Sequence, residues 1–441
     1  MVTAMVLLPW ACLLSLAPLT RSLSAEGRGL DQLARPFVTV WNAPSQECGT
    51  KYHVSLDLGV FDVVVNRGES FLGQAMTLFY SNTLGLYPHY TAAGVAVNGG
   101  VPQNGSLQVH LEKAQRDIEA IIPKPDFQGL AVIDWESWRP VWERNWDSLA
   151  IYKEKSEELV REQHPDWPPD RVTEQAQEEF ERSARAFMEQ TLALGESLRP
   201  GGFWGFYGFP DCYNDDFKVA NYTGECPTLE QQRNEQLQWL WNQSRALYPS
   251  TYLPQELRLT DKVSAFVSHR VAEAFRVQEQ SGAASLPVLP YARIQYDGTE
   301  DFLSQEDLVH TIGESASQGA SGIVLWGSED YSRSRESCLA LKEYVDRILG
   351  PYILNVTHSA FLCSQVVCSS HGRCVRQDGH PEVFLHPSPT NFAIQSHRSR
   401  PHLRLRGQLV REEQAMLAEV FRCHCYTGWG GAQCARRVSP E

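Results

Sequence analysis

Four apolar residues, Leu130-Ala131-Val132-Ile133, run without polar interruption into Asp134 and Glu136, and this order limits the folds open to the chain. A strand that is apolar at every position is buried on both faces, as in a parallel sheet covered by helices. Side chains alternate along a strand, so Asp134 and Glu136 lean to one side, with Cα atoms about 6 to 7 Å apart. Two carboxylates in one small space repel each other, and Trp135 and Trp138 are expected to desolvate them. Both effects hold a proton on the pair near neutral or mildly acid pH. A retained proton is what a general acid needs. The plainer reading is an acidic residue that caps the next helix or makes a surface ion pair. With Trp135, Trp138, Trp142 and Arg139 crowded around the pair, the residues alone balance the two readings.

Alternation of elements extends this constraint to the whole chain. Residues 36–42, 61–66 and 76–80 predict strands, 107–120 a helix, and 148–163 and 170–198 charged but amphipathic helices. Val172, Ala176, Phe180, Ala184, Phe187 and Leu192 recur at helical spacing and are expected to be core. An aromatic strand at 203–210 follows, then a helical stretch at 235–246 and strand-like segments at 248–253 and 286–296. Ser304 is placed to cap the next helix, 323–326 predicts a strand and 335–349 a helix. Strands alternating with helices over some 300 residues predict an α/β fold, a distorted (β/α) TIM-like barrel with functional residues at the C-terminal strand ends. An open doubly wound sheet is the weaker architecture, because no glycine-rich nucleotide fingerprint follows the first strand.

Composition narrows the class. The 441 residues are 42% hydrophobic, which fits a globular enzyme or binding protein. A formal net charge of −14 gives no sign of nucleic-acid binding. An apolar run from Met5 to Leu19 followed by small residues predicts a secretory signal at residues 1–24. No later stretch approaches spanning length, so no membrane anchor is expected. Of eleven cysteines, Cys12 leaves with the signal, and an even ten in a secreted chain favours five disulfides. Sequons at Asn104, Asn221, Asn242 and Asn355 are consistent with that route.

The tail differs in kind. Cys363, Cys368, Cys374, Cys423, Cys425 and Cys434 have the order of an EGF-like module. Zinc ligation is the alternative reading of cysteine and histidine at these spacings, and secretion disfavours it. The expected organisation is a signal at 1–24, a catalytic-type domain at 25–355, and an EGF-like domain with a long internal insertion at 356–441. The insertion, with His380, His386, His397, His402, Arg398, Arg400, Arg404, Arg406 and Arg411, is expected to be a solvated loop rather than a polyanion-binding arm.

Several stretches together resemble the mammalian-type hyaluronidases, glycoside hydrolase family 56. They are Arg35-Pro36-Phe37, Val40-Trp41-Asn42, Phe61-Asp62-Val63-Val64, residues 84–88, 131–140, 204–214, 245–254 and 269–276, and Val324-Leu325-Trp326-Gly327. The resemblance implies endo-hydrolysis of β-1,4 bonds at N-acetylglucosamine in hyaluronan, with retention. Glu136 is implied as proton donor, and Asp134 as the residue that positions the acetamido group whose carbonyl acts as nucleophile. Tyr207, Tyr252 and Trp326 are implied to wall that group, and Tyr80, Asp297, Asn42 and Arg139 to contact the substrate. Arg139 could equally pair with a neighbouring acid. Cystines Cys48–Cys338 and Cys212–Cys226, and the pairing Cys363–Cys374, Cys368–Cys423 and Cys425–Cys434, follow from the resemblance alone. It implies no metal, no cofactor, an acidic working pH, a monomer, and a secreted or lysosomal location. Asp215-Asp216-Phe217 stands where a second groove tyrosine is expected, and its charge is expected to weaken polyanion binding. Two other functions stay open: a non-catalytic hyaluronan-binding or adhesion protein, and a hydrolase preferring chondroitin.

Overall fold

The computed structural model describes residues 35–65, 70–281, 286–386, 390–397 and 400–438; the signal expected at 1–24 lies outside them. Seven strands run parallel: β1 (Val38–Asn42), β2 (Val63–Val64), β3 (Met76–Tyr80), β4 (Leu130–Asp134), β5 (Phe203–Phe206), β6 (Tyr291–Ala292) and β7 (Gly322–Trp326). They form two sheets, ordered β3-β4-β5 and β2-β1-β7-β6. Parallel bridges Tyr207 to Tyr248, Leu247 to Val288 and Ser250 to Tyr291 stitch the sheets together. The segments at 248–253 and 286–296 thus pair more sparsely than expected. Pro249, Pro287 and Pro290 have no N–H to give to a ladder, which shortens the regular pairing.

Alternation fixes what each strand buries. Val38, Val40, Val63, Met76, Leu78, Leu130, Val132, Tyr248, Tyr291 and Val324 share one core enclosed by the strands. The intervening residues, such as Trp41, Phe79, Ile133, Trp204 and Leu325, face the surrounding helices.

Helices α1 (Leu107–Ile121), α2 (Ala150–Gln163) and α3 (Pro169–Leu198) fall where the periodicity places them. Pro169 opens α3, and the expected stripe from Val172 to Leu192 is buried. A Cβ on Gly195 would stand 2.7 Å from the Trp204 ring, so glycine alone lets α3 approach β5. The nineteen-residue α4 (Lys262–Gln280) escaped the periodicity because its buried face carries Arg270, Glu273 and Gln278 among the apolar residues.

Helix α5 (Arg335–Tyr344) passes through a π-turn at Val345–Leu349 directly into α6 (Gly350–Val367). The domain boundary expected at 355/356 therefore falls inside a continuous helix. Beyond it, β8 (Gly372–Arg376) pairs antiparallel with a strand at Phe421–Cys425. The insertion between them is not a solvated loop. It contains a hairpin, Phe392–His397 with Arg400–Gly407, and a helix, Arg411–Val420, whose Leu417 and Val420 enter the core beside α6. His386 is also drawn inward, 3.0 Å from the Tyr352 hydroxyl. Arg398 and the side chains of His397, Arg400, His402 and Arg404 lie outside the described residues.

Five cystines are formed: Cys48–Cys338, Cys212–Cys226, Cys363–Cys374, Cys368–Cys423 and Cys425–Cys434. The first joins positions 290 residues apart. Closing so long a loop removes much unfolded-chain entropy, so Cys48→Ser with Cys338→Ser is expected to cost about 4 to 5 kcal/mol in urea unfolding. An unchanged midpoint would contradict this. Asn104, Asn221 and Asn242 are exposed, whereas Asn355 is half-buried within α6 and its Oδ1 has no hydrogen-bond partner among the described residues.

Candidate active site

The carboxylates stand where β4 ends. Asp134 is the last residue of the strand and is half-buried; Glu136, two residues on, is exposed at the mouth. Neighbouring strands end level with it, Tyr80 pairing with Asp134 and Asn42 with Trp326 in register. Alternation aims all four side chains to the side of the enclosed core, just beyond its last apolar layer.

Contacts tie these ends together. Trp326 Nε1 donates to the Tyr80 hydroxyl at 3.1 Å. The Trp326 ring stacks on Tyr252 at 6.2 Å, and Tyr252 meets Tyr207 at 5.9 Å. The Tyr207 hydroxyl reaches Ser250 Oγ at 3.4 Å. Asn42 is fully buried, and neither end of its amide has a hydrogen-bond partner among the described residues.

Burial raises the Asp134 carboxyl to about 7, reinforced by the charge of Glu136 and a hydrogen bond with it, against a smaller lowering by Arg139. Tyr80, Tyr207, Tyr252 and Trp326 pack on the same inner side of the strands as Asp134. Trp135, Trp138 and Trp142 are buried in the outer core, where Trp135 stacks on Tyr87 at 4.6 Å and Trp138 Nε1 donates to the Pro88 carbonyl. Trp135 alternates away from Asp134, and Trp138 and Trp142 pack into the same helix-side core beyond the strand, which corrects the expectation that they dry the pair. Burial likewise pushes the Tyr80 hydroxyl up to about 12, the charges of Asp134 and Glu136 adding to it. Tyr207 and Tyr252 shift upward for the same reason.

Arg139 is held beside Glu136, with Nη2 3.7 Å from Oε1 and Nη1 donating to the Glu136 carbonyl at 3.3 Å. Asn145 clamps its backbone from both sides, accepting from Arg139 N and donating to Arg139 O, each at 2.9 Å. The loop after β4 is thus pinned, which fixes the approach of Glu136. Asp297 is exposed and its Oδ1 pairs with Arg293 Nη1 at 2.8 Å.

Asp215 is not a free charge near the site. Arg270 Nη2 donates to both of its oxygens, at 3.0 and 3.2 Å, while also reaching Asp211 and the buried Asn214. The repulsion expected from Asp215 is therefore largely compensated, although Asp215 and Asp216 are both exposed.

Comparison with known proteins adds the decisive observation: the family model described as hyaluronidase, glycoside hydrolase family 56, matches residues 31–438. The chain belongs to the hyaluronidase family. Hyaluronidase-1 of Homo sapiens is 55% identical over 403 residues, covering 91% of this chain and 93% of that protein. Hyaluronidase-2 of Rattus norvegicus is 48% identical over 406 residues, covering 91% and 86%. The crystal structure of bee venom hyaluronidase in complex with a hyaluronic acid tetramer superposes with a TM-score of 0.62 at 34% identity, over 72% of this chain and 98% of that one.

Within this hyaluronidase, sequence reasoning missed Arg293 and Tyr291. Tyr291 is buried against Tyr207, with ring centroids 4.9 Å apart. Arg293 lies over Tyr252 and Trp326. The signal was present: both stand on the alternation of β6, inside a segment already identified as strand-like.

Proposed function

We propose that this chain is an endo-β-N-acetylhexosaminidase that hydrolyses β-1,4 bonds between N-acetylglucosamine and glucuronate in hyaluronan. The observation that carries the reading is the carboxylate pair itself. Asp134 is held in its protonated form toward neutrality by burial, and Glu136 sits beside it at the open end of an aromatic-walled groove. Glu136 gives a proton to the glycosidic oxygen as the C1–O bond breaks. The two acids share one side of the groove, so no enzyme carboxylate is assigned to the opposite face. The substrate's acetamido carbonyl attacks C1 instead, and Asp134 steadies the acetamido nitrogen as positive charge develops. Water then opens this intermediate with retention and returns the proton to Glu136.

Tyr207, Tyr252 and Trp326 enclose the acetamido group, and Tyr80, Asn42, Arg139 and Asp297 line the groove. The orphan amide of Asn42 fits a group kept for a ligand, because a buried amide without partners costs stability otherwise. The parallel strands are taken to close into a distorted (β/α) barrel, and the cystine-linked tail is taken as an EGF-like module. Secretion or lysosomal delivery is supported by the five cystines. No helix among the described residues is long and apolar enough to cross a membrane.

The test is size-resolved digestion of purified hyaluronan at acid and neutral pH, with chondroitin in parallel. Acid-favoured release of even-numbered saturated oligosaccharides is expected. Binding without cleavage at either pH would overturn the hydrolase reading, and faster cleavage of chondroitin would overturn the substrate assignment.

A further inference from the structure

We infer that Arg293 captures a substrate carboxylate on the Trp326 side of the groove, and that Asp297 is the internal competitor it releases to do so. This rests on the proposed action on hyaluronan, a polymer with one carboxylate per disaccharide.

Arg293 follows Tyr291 by two residues and so projects toward the enclosed side of the strands, as Tyr291 does. Its guanidinium carbon lies 5.4 Å from the Trp326 ring and 5.9 Å from the Tyr252 ring. Both rings belong to the wall proposed for the acetamido group, so this charge stands beside the proposed subsite of the reacting sugar. In a chain of net charge −14, a cation placed there is a local departure from the overall field.

The ion pair is unequal, and that inequality carries the argument. The Arg293 side chain is 16% exposed and that of Asp297 57%. A mostly buried guanidinium needs a counter-charge at all times, whereas an exposed carboxylate returns to water at little cost. Arg293 also has donor capacity in reserve. Guanidinium offers five N–H donors in a fork; Nη1 is given to Asp297, the Tyr331 phenol lies alongside, and the buried Nε has no hydrogen-bond partner among the described residues. A glucuronate carboxylate arriving over the Trp326 face can therefore replace Asp297 without ever leaving the cation bare. Arg139, at the other flank, is already engaged with Glu136.

The experiment measures affinity in the Glu136→Gln background of the full chain, so that no turnover intervenes. The probes are a hyaluronan octasaccharide and the same octasaccharide with its carboxylates reduced to alcohols. Arg293→Gln is expected to weaken the anionic ligand by about tenfold and the reduced ligand by less than about twofold, the loss of one charge-assisted contact. Asp297→Asn, which alters only the exposed partner and leaves the buried arginine in place, is expected to tighten the anionic ligand by about threefold. Equal losses on both ligands would make Arg293 a mere buttress of the aromatic wall and overturn the inference. Weaker binding in Asp297→Asn would overturn it as well. If the unmutated chain fails to cut hyaluronan, the failure belongs to the proposed function and not to Arg293.

Discussion

Glu136→Gln is expected to lower kcat on hyaluronan by about 10³-fold, within the range usual for loss of a positioned general acid. The substitution keeps the shape of the side chain and replaces an acid by an amide that gives up no proton. Glu136 is exposed and interacts with Asp134 and Arg139 at the mouth of the site rather than with the core, so the fold is expected to survive intact, with circular dichroism unchanged. Arg139 keeps its bond to the Glu136 main-chain carbonyl, so the loop that presents residue 136 stays in place. KM is expected to move by less than about threefold, because an acid that acts on the leaving oxygen contributes mainly in the transition state. Initial rates from reducing-end formation, at the optimum pH of the unmutated enzyme, check both values. A variant within tenfold of the unmutated rate would remove Glu136 from the donor role. The same result would leave the hydrolase reading in place and assign the proton to another group.

Much of this site was legible because one rule, period-two alternation, governs both the sheet and the groove. Apolar Leu130 to Ile133 identified β4, and the same parity put Asp134 and Glu136 on one side. It also put Trp135 on the opposite side, a consequence not drawn from the sequence alone, where proximity along the chain stood in for direction in space. Tyr291 and Arg293 were lost for a related reason: prolines at 287 and 290 interrupt the ladder and blur the strand-like segment in which both stand. Helix α4 was hidden by polar residues buried in a hydrogen-bonded network. Arg270, on that helix, answers Asp215 from a position 55 residues away, and no local pattern reports such a partner. The insertion shows the limit most plainly. Its charge suggested solvent, whereas Leu417, Val420 and His386 anchor it against α6 and the helices beside it. Long-range compensation of this kind is a property of packing, and composition alone does not contain it.

Asp134→Asn is expected to lower kcat by about 10²- to 10³-fold, the scale found when one group aimed at developing charge is removed. The same variant is expected to be more stable than the unmutated chain at neutral and alkaline pH. The two effects have one origin. Burial raises the folded-state carboxyl of Asp134 to about 7, above its ordinary value near 4. A raised acid binds its proton more tightly in the folded than in the unfolded state. Its contribution to stability is therefore fully present below the unfolded value and is lost as pH rises through the folded one. Between about pH 4 and 7 the unmutated chain thus gives up stability in this group, and asparagine, which never ionises, does not. Thermal melts of the two proteins should coincide near pH 4 and separate progressively toward pH 7, the variant melting higher. Coincident melts across that range would mean that Asp134 is not buried as a carboxylate. The activity limb follows the same ionisation: as pH passes about 7 the shared proton leaves the pair, and hydrolysis by the unmutated enzyme is expected to fall with it. A chain selected for stability alone would not keep an ionisable group in that position. Its presence fits a site where the tendency to hold a proton is the working property, and the cost appears in the pH range where activity is expected to fall.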